Sequence, residues 1–296
     1  MKKPSLLLCA LIALFPYSVY AQSGLCESFT VENNELRIPV TINGNQYQAG
    51  LTTSNIGVSM SSSMAGTLGL VVRTNGDLRI VETFGRAEFF RYVDDVDLTL
   101  FGNTIHADDV AIVEADEEWL TLSLRVFKGL ITQINFPGKE LCLFPRAAID
   151  LQEAKNIIFD SDPQYGSPML KLKLNDEIDA WLALSPTYSG GIIVDPYLAS
   201  QLNLHSQLDA VESQSENTLR TSIDQLQIGP YTLGNITAEF PKPGVRDNLT
   251  TQGRVPTGTN IREGRGFRGR VGIDVLKHFV LTMDLERQQL HIYAPN

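Results

Sequence analysis

The sequence predicts a mostly β protein made of two homologous β-rich lobes in tandem with short helices. Two stretches of the chain read alike. In both, apolar residues alternate with polar ones, the period-2 mark of a half-buried strand. Both also place a two-residue turn signal between such strands, and Asn43-Gly44 is the stronger of the two.

In chain order, residues 1–21 read as a secretory leader. Lys2 and Lys3 precede a short apolar run from Leu6 to Phe15, and Val19, Tyr20 and Ala21 form a small-residue cleavage site. That run is shorter than the roughly 20 apolar residues a spanning helix needs. Residues 22–148 are the expected first lobe, 149–164 a linker, and 165–296 the second lobe.

The repeat sets IPVTING (Ile38 to Gly44) beside LKLKLN (Leu170 to Asn175). It then sets LTTSNIGV (Leu51 to Val58) beside LSPTYSGGIIV (Leu184 to Val194), and MAGTLGL (Met64 to Leu70) beside YLASQLNL (Tyr197 to Leu204). Each copy reads as a hairpin followed by a short helix, near Ser62 to Leu68 and Pro196 to Leu202. Asp195 is the expected cap of the second helix, with Pro196 in its first turn. Strands from Arg91 to Leu100 and Thr221 to Ile228 follow, ending at Gly102 and Gly229-Pro230. Gly129 to Ile131 is taken as the first-lobe counterpart of Gly269 to Gly272. A last strand in each copy lies near Glu140 to Phe144 and Leu290 to Tyr293. The linker holds a short helix and a solvated acidic pair, Asp160 and Asp162.

Removing the leader takes Lys2 and Lys3 with it, so the formal charge of −10 becomes −12. Such acidity argues against nucleic acid as a partner. The leader also removes Cys9, leaving Cys26 and Cys142. In an exported chain these read as one disulfide, with two buried thiols as the alternative. No Cys/His spacing suggests a metal, and the four histidines read as surface or packing residues. No cofactor is expected.

The run from Leu184 to Pro196 resembles the active-site loop of bacterial retropepsin-like, pepsin-type aspartic proteases: apolar-Asp-Thr-Gly, small residues, an apolar run, then a helix. GRVGIDVLKHFVLTMD, from Gly269 to Asp284, resembles the closing motif of the same family. Leu51 to Met60 repeats the loop more loosely. The resemblance covers nearly all of the mature chain and implies two lobes of the closed β-barrel type meeting at a pair of loops.

The departures from that pattern are specific. Where the family has Asp-Thr-Gly, this chain has Thr52, Thr53 and Ser54 in one lobe and Ser185, Pro186 and Thr187 in the other. The family mechanism needs two close carboxylates sharing a proton. Hydroxyls at Thr52 and Ser185 ionise too high to replace them. Thr53 matches the family threonine that braces the loops, while Pro186 has no hydroxyl to do so.

The first expectation is therefore an inactive homologue, periplasmic or secreted and monomeric. It binds an extended peptide or protein segment between its lobes through residues 52–54 and 185–187. The alternative is a structural or assembly protein of the cell envelope. A third reading retains hydrolysis with acids drawn from Asp160, Asp162, Asp195 or Asp274. Separately, Arg254, Arg262, Arg265, Arg268 and Arg270 read as a glycine-rich basic loop neutralised by the acidic stretch Asp108 to Glu118, with contact to an anionic partner such as a phosphorylated glycan or lipid headgroup as the alternative. Asn235 and Asn248 open glycosylation-type triplets and read as loop residues.

Overall fold

The computed structural model describes residues 24–32, 35–53, 56–80, 87–162, 166–207, 217–245, 247–250, 254–257, 260–263 and 266–295. The leader read at 1–21, Ser54 and Arg265 lie outside them.

The alternation seen in the sequence is realised directly. Along Glu35–Ile42 every second side chain is buried, and Leu36, Ile38, Val40 and Ile42 enter the core. The turn to Asn45–Thr52 uses Asn43 and Gly44, both at positive φ (51° and 79°). The same turn recurs in the second lobe at Asn175 and Asp176 (φ 47° and 59°), joining Pro168–Leu174 to Ile178–Leu184. Two positive φ values in a row match the right-handed twist of the flanking strands, and Asn, Asp and Gly tolerate them best. Gly229, at φ 56°, opens the later turn of the second lobe with Pro230 behind it.

Each lobe closes into a six-stranded barrel. In the first, Glu35–Ile42, Asn45–Thr52, Leu120–Ser123, Val58–Ser61, Asn103–Val113 and Ala87–Leu100 lie side by side, and Thr41 meets Thr99 to close the ring. In the second the ring is Pro168–Leu174, Ile178–Leu184, Gly269–Val271, Ile192–Val194, Tyr231–Pro241 and Thr218–Ile228, closed by Lys173 and Leu174 against Gln227 and Leu226.

The pairing corrects one correspondence. Asn45–Thr52 runs parallel to Leu120–Ser123, as Ile178–Leu184 does to Gly269–Val271. The first-lobe partner of Gly269–Val271 is thus Leu120–Ser123, not Gly129 to Ile131. Composition misled the reading: the first copy uses Ser123, whose hydroxyl caps Arg125, where the second uses Gly272. Gly129 instead leads into a strand of a third sheet.

That sheet joins the lobes. Its order is Leu25–Ser28, Glu140–Pro145, Leu130–Asn135, Val280–Asp284 and Gln289–Tyr293. The central pair brings one strand from each half together, with Gln133 Nε2 donating to Thr282 Oγ1 at 2.9 Å. Cys26 lies directly opposite Cys142 and is bonded to it. Arg146, just past the first-lobe strand, makes a two-pronged pair with buried Asp284 in the second (2.5 and 2.8 Å). One continuous apolar cluster runs through both barrels and the joining sheet.

Two minor readings also change. Asp160 lies in the strand Phe159–Ser161 opposite Met169, and Asp162 is buried, so neither is a solvated linker residue. Asn235 sits within Tyr231–Pro241 rather than in a loop. Among the described residues, no helix is long and apolar enough to cross a membrane.

Candidate functional site

The two loops that the repeat singles out begin at the ends of equivalent strands. Thr52 ends Asn45–Thr52 opposite Ser123, and Ser185 follows Ile178–Leu184 with its N–H donating to Val271 O at 3.0 Å. The loops touch. Thr53 Oγ1 donates to the carbonyl of Leu184, the residue just before Ser185, at 2.8 Å. One side chain of the first lobe therefore grips the backbone of the second, as the threonine resemblance implies. Pro186 offers no reciprocal hydroxyl.

Pro186 has a local role. Tyr188 N donates to Ser185 O at 3.3 Å, closing a turn with proline at its second position, where its fixed φ is already suited. Ser185 is buried, and its Oγ lies 3.4 Å from Thr187 Oγ1. Thr52 and Thr53 are half-buried, Pro186 is buried and Thr187 is exposed.

The closing motif wraps the second loop. Gly272 N donates to Gly191 O, Ile273 N to Tyr188 O and Asp274 N to Gly190 O. A Cβ on Gly272 would fall 2.4 Å from the carbonyl oxygens of both Gly190 and Tyr188. That contact is with backbone and could not yield, so only glycine lets the two segments approach.

Beneath this loop lies a buried polar group that the sequence did not disclose. Glu239 accepts from Arg220 Nε and Nη2 (2.9 and 2.6 Å) and from Thr218 Oγ1 at 3.3 Å. Burial first, and then the negative charge of Glu239, push the Tyr188 hydroxyl above the ordinary phenol value. The residues come from three distant segments, and only the barrel register aligns them.

Asp195 and Asp274, considered from the sequence as hydrolytic acids, each have other partners. Asp195 is buried and caps the helix Pro196–Gln201 through Leu198 N. It also accepts from Thr250 Oγ1 (2.6 Å) and Arg268 Nη1 (2.8 Å). Asp274 is exposed and pairs with Lys277. The basic segment is correspondingly not a free loop at Arg268 and Arg270. Arg268 is held by Asp195 and lies over the Tyr197 ring at 4.3 Å, and Arg270 is part of the barrel strand Gly269–Val271. Arg254 and Arg262 fall on a paired hairpin, Arg254–Thr257 with Asn260–Glu263. The acidic stretch expected to neutralise them is itself engaged, with Asp109 on Arg73 and Glu114 on Arg91.

Two other features lie away from the loops. A hollow of about 250 Å³ opens beside the joining sheet, lined by Ile131, Arg146, Asp150, Asp284 and Arg287 among others. On the first-lobe hairpin, exposed His106 faces Asp97 at 2.7 Å, with Asp95 and Asp108 each at 3.4 Å. The hydrogen bond to Asp97 raises its pKa above the usual histidine value.

No family model matches the chain, and no curated protein matches it. Solved structures do. An aspartic proteinase from Irpex lacteus superposes with a TM-score of 0.55 at 10% identity, over 93% of this chain and 98% of that one. Basic 7S globulin from soybean gives 0.49 at 8% identity, over 92% and 95%. The first match, with the two closed barrels, establishes a pepsin-like fold.

Proposed function

We propose that this chain is an exported, bacterial, aspartic-protease-like pseudoenzyme that holds an extended peptide or protein segment between its lobes without cleaving it. The observation that supports this is the Thr53 to Leu184 hydrogen bond, which joins the two loops at 2.8 Å around positions that carry hydroxyls instead of acids. Thr52 and Ser185 cannot supply the base that activates water or the acid that protonates the carbonyl oxygen. Holding a peptide asks less of the protein. Backbone hydrogen bonds to an added strand and pockets for alternate side chains suffice.

The test incubates the purified chain with a broad peptide mixture from pH 3 to 8 and reads products by mass spectrometry. A second sample carries Thr52→Asp, Ser54→Gly, Ser185→Asp and Thr187→Gly. The reading requires no cleavage by the native chain. Cleavage that survives further purification sinks it and directs attention to Asp195 and Asp274. Activity in the restored variant demonstrates that the site keeps protease geometry. Bulky substitutions at Thr52 and Ser185 should abolish peptide binding, whereas an envelope-assembly role would leave them silent.

A further inference from the structure

The barrel register of the second lobe sets a charged residue beside the loop junction. Along Ile178–Leu184, Leu182 and Leu184 enter the main core, while Ala183 packs in a separate small cluster with Met169 and Phe267. On the neighbouring strand Val271 also enters the core, so Arg270 takes the face of Ala183, its direct partner. Arg270 stands one residue before Val271, whose carbonyl receives Ser185 N, and Ala183 one residue before Leu184, whose carbonyl receives Thr53.

Arg270 is half-buried, and burial alone holds its pKa below the ordinary arginine value. Among the described residues, no carboxylate or carbonyl accepts a hydrogen bond from its guanidinium. The other charges in its row are paired: Ile193 separates it from Glu239, which is bound to Arg220. The first lobe provides an internal control. There the equivalent position is Thr121, whose hydroxyl meets that of Ser59 at 2.5 Å and closes on itself. The barrel therefore needs no charge at this point.

We propose that Arg270 makes the junction an anion-receiving site, so that the segment bound between the lobes presents a carboxylate there. The source is an acidic side chain or a free C-terminus. A guanidinium offers two parallel N–H groups that match a carboxylate, and partial desolvation strengthens the pair. The polarity is the reverse of a carboxylate-lined site. This inference rests on the peptide-binding reading above.

The experiment separates the two. Peptides of eight residues are made in three forms: neutral and C-terminally amidated, with one central Glu, or with a free C-terminus. Their affinities are measured for the native chain and for Arg270→Met. One carboxylate form should bind about tenfold to a hundredfold more tightly than the neutral peptide, and that gain should vanish in Arg270→Met. Binding with no carboxylate preference, or a preference that survives Arg270→Met, overturns the anion site and leaves the peptide reading intact. Acetate titration followed on the Nε–Hε signals of labelled native chain decides the matter if no peptide binds or if the Met variant fails to fold. Arg270→Lys identifies the resonance. A saturable shift of that signal keeps the anion site; a drift like that of exposed arginines removes it.

Discussion

Replacing Thr53 with Val removes the hydroxyl that crosses between the lobes while keeping the side chain's shape. Its partner, the carbonyl of Leu184, belongs to a residue that is 1% exposed. A buried acceptor left without its donor costs about 1–3 kcal/mol. Thr53 is itself half-buried, so water reaches part of the gap and the lower half of that range applies, roughly 1–2 kcal/mol. For a chain of this size the melting temperature should fall by roughly 2–6 °C. Trp119 and Trp181 are the two tryptophans, one in each lobe, so guanidinium unfolding followed in variants that keep only one of them reports each lobe in turn. Thr53→Ser keeps the donor and should recover most of the loss. The reasoning fails if Thr53→Val unfolds like the native chain, or if Thr53→Ser is destabilised as much as Thr53→Val.

Three further outcomes are expected. Reducing the Cys26–Cys142 bond, which spans 116 residues, should lower stability by roughly 4–5 kcal/mol on the chain-entropy account, measured in guanidinium with and without reductant. Removing Arg220 alone, as Arg220→Met, leaves Glu239 charged and buried at about 3–5 kcal/mol; adding Glu239→Leu should recover much of it, as a two-step melt series would record. Burial by itself would raise the Asp284 carboxyl, but hydrogen bonds from Arg146 and from the N–H groups of Arg287 and Glu286 outweigh it and hold the group below its ordinary value. Its contribution is therefore complete above the unfolded carboxylate pKa and is lost as pH falls through the folded one. Asp284→Asn should flatten the acid limb of a stability–pH curve while lowering its neutral plateau.

Much of the architecture was local enough to read. Alternation along Glu35–Ile42 and Pro168–Leu174, and the turns at Asn43-Gly44 and Asn175-Asp176, depend on residues adjacent in the chain. The helix begun by Asp195 and Pro196 follows the same logic. The misassigned closing strand shows the limit. Ser123 and Gly272 occupy equivalent places by different chemistry, one capping with a hydroxyl and the other yielding space to two carbonyls. No comparison of residue types would align them.

The sequence by itself determined the two-lobed β organisation, the paired loops and the absence of acids at Thr52 and Ser185, because each depends on the order of near neighbours. Only the tertiary structure decided that Asp195 is taken by Thr250 and Arg268, that Glu239 lies under Tyr188 with Arg220, and that Arg270 stands beside the loop junction. Strand register sets Arg220 against Glu239 and Arg270 beside Ala183, while an isolated bridge between Thr250 and Arg268 brings both to Asp195. The hydrogen bonds named join residues from 19 to 73 positions apart. The burial of Asp195 and Glu239 is likewise a property that no stretch of chain possesses until the barrel closes.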